Sequence, residues 1–199
     1  MIKKQYLIFC FIAIFILINF TIGCTENQGK TNGDNIQPTT ILTVKIDEFQ
    51  TNYTLEDLEA LETYTDSGRK IKTTLLPDSI DIDNIHEYTG VRIPTLINEI
   101  EDLPDYYNVS VTSSDGRNVI FTMNETLGKV DIYNETGNVT SNKTAVMIIA
   151  YKEDGSYYWE IDPENETGPL RIAFVGEDVI TSSNLWSRMV ETIEIIPII

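Results

Sequence analysis

Few side chains in this sequence are suited to chemistry, and their spacing narrows what they could do. His86 is the only histidine among the 199 residues. Beside Glu87 it could act as a general base or a metal ligand, or serve as a hydrogen-bonded polar residue. A single His with no Cys nearby argues against a zinc centre built from Cys and His. Asp78, Asp81 and Asp83 lie close together in "DSIDIDN", but the stretch lacks the Gly and distal Glu of a calcium loop. At period two, Asp81 and Asp83 share one solvated face of a strand. No Ser sits in a nucleophile elbow. Gly168-Pro169 and Gly176 lack the spacing of a phosphate or dinucleotide loop. What remains is cationic: Arg69, Lys70, Lys72, Arg92, Arg117 and Arg171. A guanidinium fork binds phosphate, sulfate or carboxylate bidentately, or it pairs with a neighbouring acid.

These cations stand in a strongly acidic chain. Lys and Arg number 14 against 31 Asp and Glu, a formal charge of −17. Without Lys3 and Lys4 the balance is 12 against 31, or −19. Such a field repels nucleic acid and anionic lipid headgroups, so neither is expected as an electrostatic partner. It suits a soluble surface or one that attracts cations.

The first residues account for the two lysines. Lys3 and Lys4 precede an apolar run from Tyr6 to Phe20, which ends in Thr21-Ile22-Gly23-Cys24. This is the layout of a secretory signal, expected over residues 1–23. Gly23-Cys24 resembles a lipobox, in which Cys24 becomes the lipidated first residue. An uncleaved anchor helix and plain secretion are the alternatives, and all three place the rest of the chain outside the cytoplasm. Residues 24–40, rich in Asn, Thr and Gly, cannot bury apolar area and read as a polar tether. The domain is expected over 41–199, about 160 residues, enough for one real core. Cys10 and Cys24 are the only cysteines, so the domain has no disulfide framework. Asn-x-Ser/Thr occurs at Asn52, Asn108, Asn124, Asn134, Asn138, Asn142 and Asn165, which are candidate glycan acceptors in an exported chain.

The elements that must position the cations follow from patterning. Ile41–Asp47 alternates as a strand. Thr54 caps a short helix, "LEDLEAL". Residues 64–75 read as a hairpin turning at Asp66-Ser67-Gly68. Pro94 opens a second helix burying Ile93, Leu96, Ile97 and Ile100. Tyr107–Thr112 and Asn118–Thr122 form a hairpin around Ser114-Asp115-Gly116. Thr122 and Glu125 have capping-box spacing. Lys129–Tyr133 is a short strand and Asn134–Asn142 a loop. Ala145–Tyr151 is a buried strand followed by a turn at Asp154-Gly155, with Tyr157–Ile161 expected to pair back. Leu170–Val175 and Val190–Ile196 complete about nine strands. Gly90 and Gly116 are expected at turns. Tyr88, Tyr106, Tyr107, Tyr151, Tyr157, Tyr158, Trp159 and Trp186 supply core packing or line a cleft. The fold class expected is α+β, with mixed β-sheets and a few short helices.

Taken in order, several segments resemble the oxidoreductase molybdopterin-binding domain, with its sulfite-oxidase-like fold. They are Tyr53-Thr54-Leu55-Glu56-Asp57-Leu58; Tyr88-Thr89-Gly90-Val91-Arg92-Ile93-Pro94-Thr95-Leu96-Ile97; Val111 to Thr122; Gly168-Pro169-Leu170-Arg171-Ile172-Ala173-Phe174-Val175-Gly176; and Met189 to Ile195. Together they cover about Leu42 to Ile196. The resemblance implies a cofactor cleft approached by Arg92 and Arg171, with His86, Tyr88 and Arg117 as neighbours. It also implies molybdopterin as cofactor. In catalytic members a Cys before the "TGV" segment ligates molybdenum, yet Gly68 to Glu87 has none here. Thr73, Thr74 and Ser79 offer only hard, neutral hydroxyls in its place. The sequence therefore points first to a surface-anchored, non-catalytic binding or accessory module for a small anion or pterin. A molybdopterin-dependent oxidoreductase with atypical metal ligation is the alternative, and a structural envelope lipoprotein is another.

Overall fold

A computed structural model describes residues 39–73, 80–100, 102–140, 143–164 and 166–198. The expected signal, Cys24 and nearly all of the tether lie outside the described residues.

The described residues open with an antiparallel pair, β1 (Leu42–Ile46) and β2 (Phe49–Tyr53). Helix α1 (Leu55–Ala60) starts at Thr54, whose hydroxyl accepts from the Asp57 amide while Asp57 accepts from the Thr54 amide. That reciprocal cap satisfies two orphan donors. Strand β3 (Thr63–Thr73) is followed by β4 (Ile80–Ile82), β5 (His86–Arg92) and α2 (Ile93–Asn98), which has Pro94 in its first turn. The hairpin β6 (Tyr107–Ser113) and β7 (Asn118–Thr122) leads to α3 (Met123–Thr126). Then come β8 (Ile132–Tyr133), β9 (Val139–Thr140), β10 (Val146–Glu153), β11 (Ser156–Tyr157) and α4 (Tyr158–Ile161). The last elements are β12 (Arg171–Val175), β13 (Ile180–Ser182), a 3₁₀ turn at Ser183–Leu185, β14 (Ser187–Arg188) and β15 (Val190–Pro197).

Two sheets result. A five-stranded sheet runs β2-β1-β15-β6-β7, with β1 and β15 parallel. A ten-stranded sheet runs β14-β12-β10-β5-β3-β13-β8-β9, with β11 on β10 and β4 on β3. The larger sheet curls: the Gly176 amide donates to the Ser67 carbonyl at 2.8 Å, bringing the end of β12 to β3. Inner faces from both sheets meet in one apolar core, including Val44, Val109, Ile149, Phe174 and Ile193, each at most 2% exposed.

This corrects the expected α+β class. The described residues are mostly strand, and the four α-helices are only six, six, four and four residues long. Helices this short cannot form a layer; they work as corners between strands. Three local expectations also change. Residues 63–73 form one continuous strand, not a hairpin. Gly68 serves close approach there: a Cβ would sit 2.7 Å from the Phe174 carbonyl. Gly90 is likewise mid-strand, where a Cβ would meet the Ile149 carbonyl at 2.1 Å. Gly116 does occupy a turn, at φ 84°. Finally, only Ser156 and Tyr157 pair back on β10. The Glu160 carboxylate accepts from the Tyr157 amide at 2.8 Å and caps α4 instead.

Candidate functional site

Arg171 is the first residue of β12, and Arg188 stands directly opposite it on β14. Like charges placed across adjacent strands destabilise a sheet. Two more cations arrive from elsewhere. Lys70 comes from β3, and Arg117 comes from the β6–β7 turn of the other sheet. These four residues, with Ser183, Trp186 and Ser187, line a cleft of about 220 Å³. It concentrates positive charge in a chain of −17. Larger depressions of about 410, 530 and 520 Å³ lie elsewhere, none of them with such a one-signed lining.

Each cation is held differently. Arg117 Nη2 donates to the Asn184 carbonyl at 2.8 Å, tying the hairpin to the 3₁₀ turn. Lys70 Nζ lies 3.1 Å from Asp83 Oδ2 and 5.3 Å from the Trp186 ring centre. Arg171 Nη1 donates to Glu153 Oε2 at 2.6 Å, and its guanidinium lies 4.4 Å over the Tyr158 ring. Arg188 is exposed and has no ion pair among the described residues. Trp186 forms an aromatic wall. It is 5% exposed, its indole N–H donates to Thr181 Oγ1 at 2.8 Å, and it packs edge-on against Tyr88 at 5.1 Å. The Ser187 hydroxyl is buried with no partner among the described residues.

Behind Arg171 lies a second polar group. His86 Nδ1 is 2.7 Å from Asp154 Oδ2 and 3.6 Å from Glu153 Oε1. Asp154 Oδ1 accepts from the Glu87 amide at 2.9 Å. The His86 hydrogen bond, then that amide, hold the Asp154 carboxyl below its usual range. Burial, reinforced by Glu153, pushes the Tyr88 phenol well up, and burial does the same to Tyr158. Both phenols are neutral at physiological pH. The Tyr158 hydroxyl is buried without a partner among the described residues.

Of the residues expected at a shared cleft, the structure brings Arg171 and Arg117 together. Tyr88 backs Trp186, and His86 stands behind Arg171 through Glu153. Arg92 is not among the lining residues. Arg171 pairs with Ala150, Ala150 pairs with Gly90, and Arg92 lies two residues further along β5. Its guanidinium packs 4.3 Å over the Tyr64 ring. Lys70 was one cation among several in the sequence. Arg188 and Ser187 gave no signal beyond the scarcity of cations, because only their pairing across β12 and β14 gives them a role.

No protein-family model matches this chain, and no curated protein matches it. Among solved structures, the chain is similar to the crystal structure of the sulfane dehydrogenase SoxCD from Paracoccus pantotrophus. The TM-score is 0.53 at 16% identity, over 78% of this chain and 37% of that one. The chain thus spans little more than a third of the length of the SoxCD chain. At that identity the likeness shows the fold: this chain carries the fold of part of SoxCD.

Proposed function

We propose that the domain is a binding module that holds a small oxyanion, such as sulfate, phosphate or the phosphate of a larger ligand, in the cleft of Lys70, Arg117, Arg171 and Arg188. The single observation that carries this is the Arg171–Arg188 pair. Two arginines stand opposite each other on adjacent strands and line one cleft in a chain with 31 acids, and only one has a carboxylate partner among the described residues. An anion between them would convert a repulsion into two charge-assisted contacts.

The shared fold and the motif resemblance suggest a molybdopterin centre, but the residues present do not fit one. The side chains lining the cleft offer ammonium, guanidinium, hydroxyl and indole groups. A molybdenum centre of the resembling kind wants a thiolate, and both cysteines of the sequence lie outside the described residues. On this reading the chain is exported and anchored through a lipid on Cys24, and it presents the module outside the cytoplasm.

Calorimetry and tryptophan fluorescence with sulfate and phosphate test the reading, since Trp186 lines the cleft. Wild-type protein is expected to bind saturably. Arg188→Ala should weaken binding about tenfold or more, from the roughly 1.5–3 kcal/mol of a charge-assisted hydrogen bond. Arg92→Ala should leave it unchanged. Absence of saturable binding by the wild type, or an Arg188→Ala variant that binds equally well, overturns the proposal.

A further inference from the structure

We propose that His86, Glu153 and Asp154 form a binding site for a divalent transition metal of the zinc type, distinct from the oxyanion cleft but linked to it through the Glu153–Arg171 pair. Their ligand atoms lie within 4.8 Å of one another. His86 opens β5. Glu153 closes β10, and Asp154 begins the turn after it. The Asp154 amide donates to the Glu87 carbonyl at 2.8 Å, and the Glu87 amide donates back to Asp154 Oδ1 at 2.9 Å. The turn is therefore clamped to the neighbouring strand, and all three side chains issue from one rigid backbone patch.

The two carboxylates are oriented as metal ligands are. Each spends one oxygen on an outer partner: Asp154 Oδ1 on the Glu87 amide, Glu153 Oε2 on Arg171 at 2.6 Å. That leaves Asp154 Oδ2 and Glu153 Oε1 converging on His86 Nδ1, at 2.7 and 3.6 Å. Outer-shell contacts of this type fix ligand orientation in metal sites. Four-coordinate zinc, with bonds of about 2.0–2.2 Å to nitrogen and oxygen, needs its ligand atoms roughly 3.3 Å apart. The 3.6 Å separation already suits it. The 2.7 Å hydrogen bond must open by a few tenths of an ångström as the metal takes the place of its proton.

Charge and donor type select the ion. Two carboxylates and a neutral imidazole carry −2, and Arg171 offsets part of this, so a dication nearly neutralises the group. One imidazole among oxygens favours zinc or a neighbouring first-row ion over calcium or magnesium, which prefer oxygen alone. Three protein ligands leave the fourth position to water.

The test uses the full chain and Zn²⁺ itself. After chelator treatment and dialysis, calorimetry should show one saturable equivalent. His86→Gln and Asp154→Asn should each weaken it at least tenfold, with retained cooperative thermal unfolding of the metal-free protein as the control for folding. Co²⁺ substitution reads the ligand set without any variant. Visible d–d bands with no thiolate charge-transfer band are expected. No saturable Zn²⁺ binding, an unaffected His86→Gln variant, or a charge-transfer band showing that Cys10 or Cys24 had captured the metal would each overturn the proposal.

Discussion

Glu153→Gln is the most informative single substitution in this domain. It keeps the shape of the side chain and removes the charge that holds Arg171. The ion pair is short, at 2.6 Å, and its partners are 16% and 17% exposed. An exposed pair contributes about 0–1 kcal/mol, and breaking a fully buried one costs about 3–5 kcal/mol. This pair lies between, and the glutamine retains a neutral hydrogen bond worth roughly 0.5–1.5 kcal/mol. The net cost is then about 1–2 kcal/mol. For a domain of this size, each kcal/mol lowers Tm by about 2–4 °C, so a fall of roughly 2–8 °C is expected. Urea and thermal unfolding should be measured at low and high salt, because a largely buried pair is poorly screened. A double-mutant cycle with Arg171→Met isolates the coupling. A loss below about 0.5 kcal/mol, one that vanishes in high salt, or additive single costs would refute the reasoning. The same variant frees Arg171 for an external anion, so sulfate should bind more tightly while the protein becomes less stable.

Three further predictions follow from separate features. Tyr158→Phe deletes a buried hydroxyl that has no partner among the described residues while keeping the ring under Arg171; a gain of about 1 kcal/mol in urea unfolding is expected, and a loss would show that the hydroxyl is hydrogen-bonded. Gly90→Ala places a Cβ 2.1 Å from the Ile149 carbonyl; a cost of about 3 kcal/mol or more, or failure to fold, should show in circular dichroism. The Thr54 amide and then its hydroxyl hold the Asp57 carboxyl below its usual range. Its folded pKa is thus below its unfolded one, so its contribution is present above the ordinary carboxylate pKa and is lost as pH falls through the folded value. Asp57→Asn should therefore flatten the stability–pH curve in that acidic window, and an unchanged curve would count against the cap.

Much of this was legible in the sequence where one rule acted alone. The Thr54 and Thr122 caps, the β6–β7 hairpin and strand β12 followed from capping spacing, turn residues and apolar alternation. Strand β5 was hidden because His86-Glu87-Tyr88-Thr89-Gly90-Val91-Arg92 carries four charged or titratable groups and an internal glycine. That glycine is there so that β10 can approach, and the reason lies 59 residues further on at Ile149. Gly68 misled in the same way, since a close-approach glycine and a turn glycine look identical in one dimension. The expected meeting of Arg92 with Arg171 rested on motif position. The partner that the fold supplies, Arg188, is visible only through strand pairing. The triad of His86, Glu153 and Asp154 likewise joins two distant segments.

The parallel pairing of β1 with β15, Thr43 beside Thr192, has a kinetic consequence. β15 is the middle strand of its sheet, yet it is synthesised after the other four. Until it emerges, the β1–β2 and β6–β7 hairpins have no shared partner, and each presents an unpaired inner edge. The sheet must close a loop of nearly the whole domain in a single step, and such non-local closure is slow. A nascent chain is therefore exposed to aggregation and proteolysis for as long as that step takes. Truncation just before Val190 would leave two unjoined hairpins where a sheet should be, and not a slightly weaker domain.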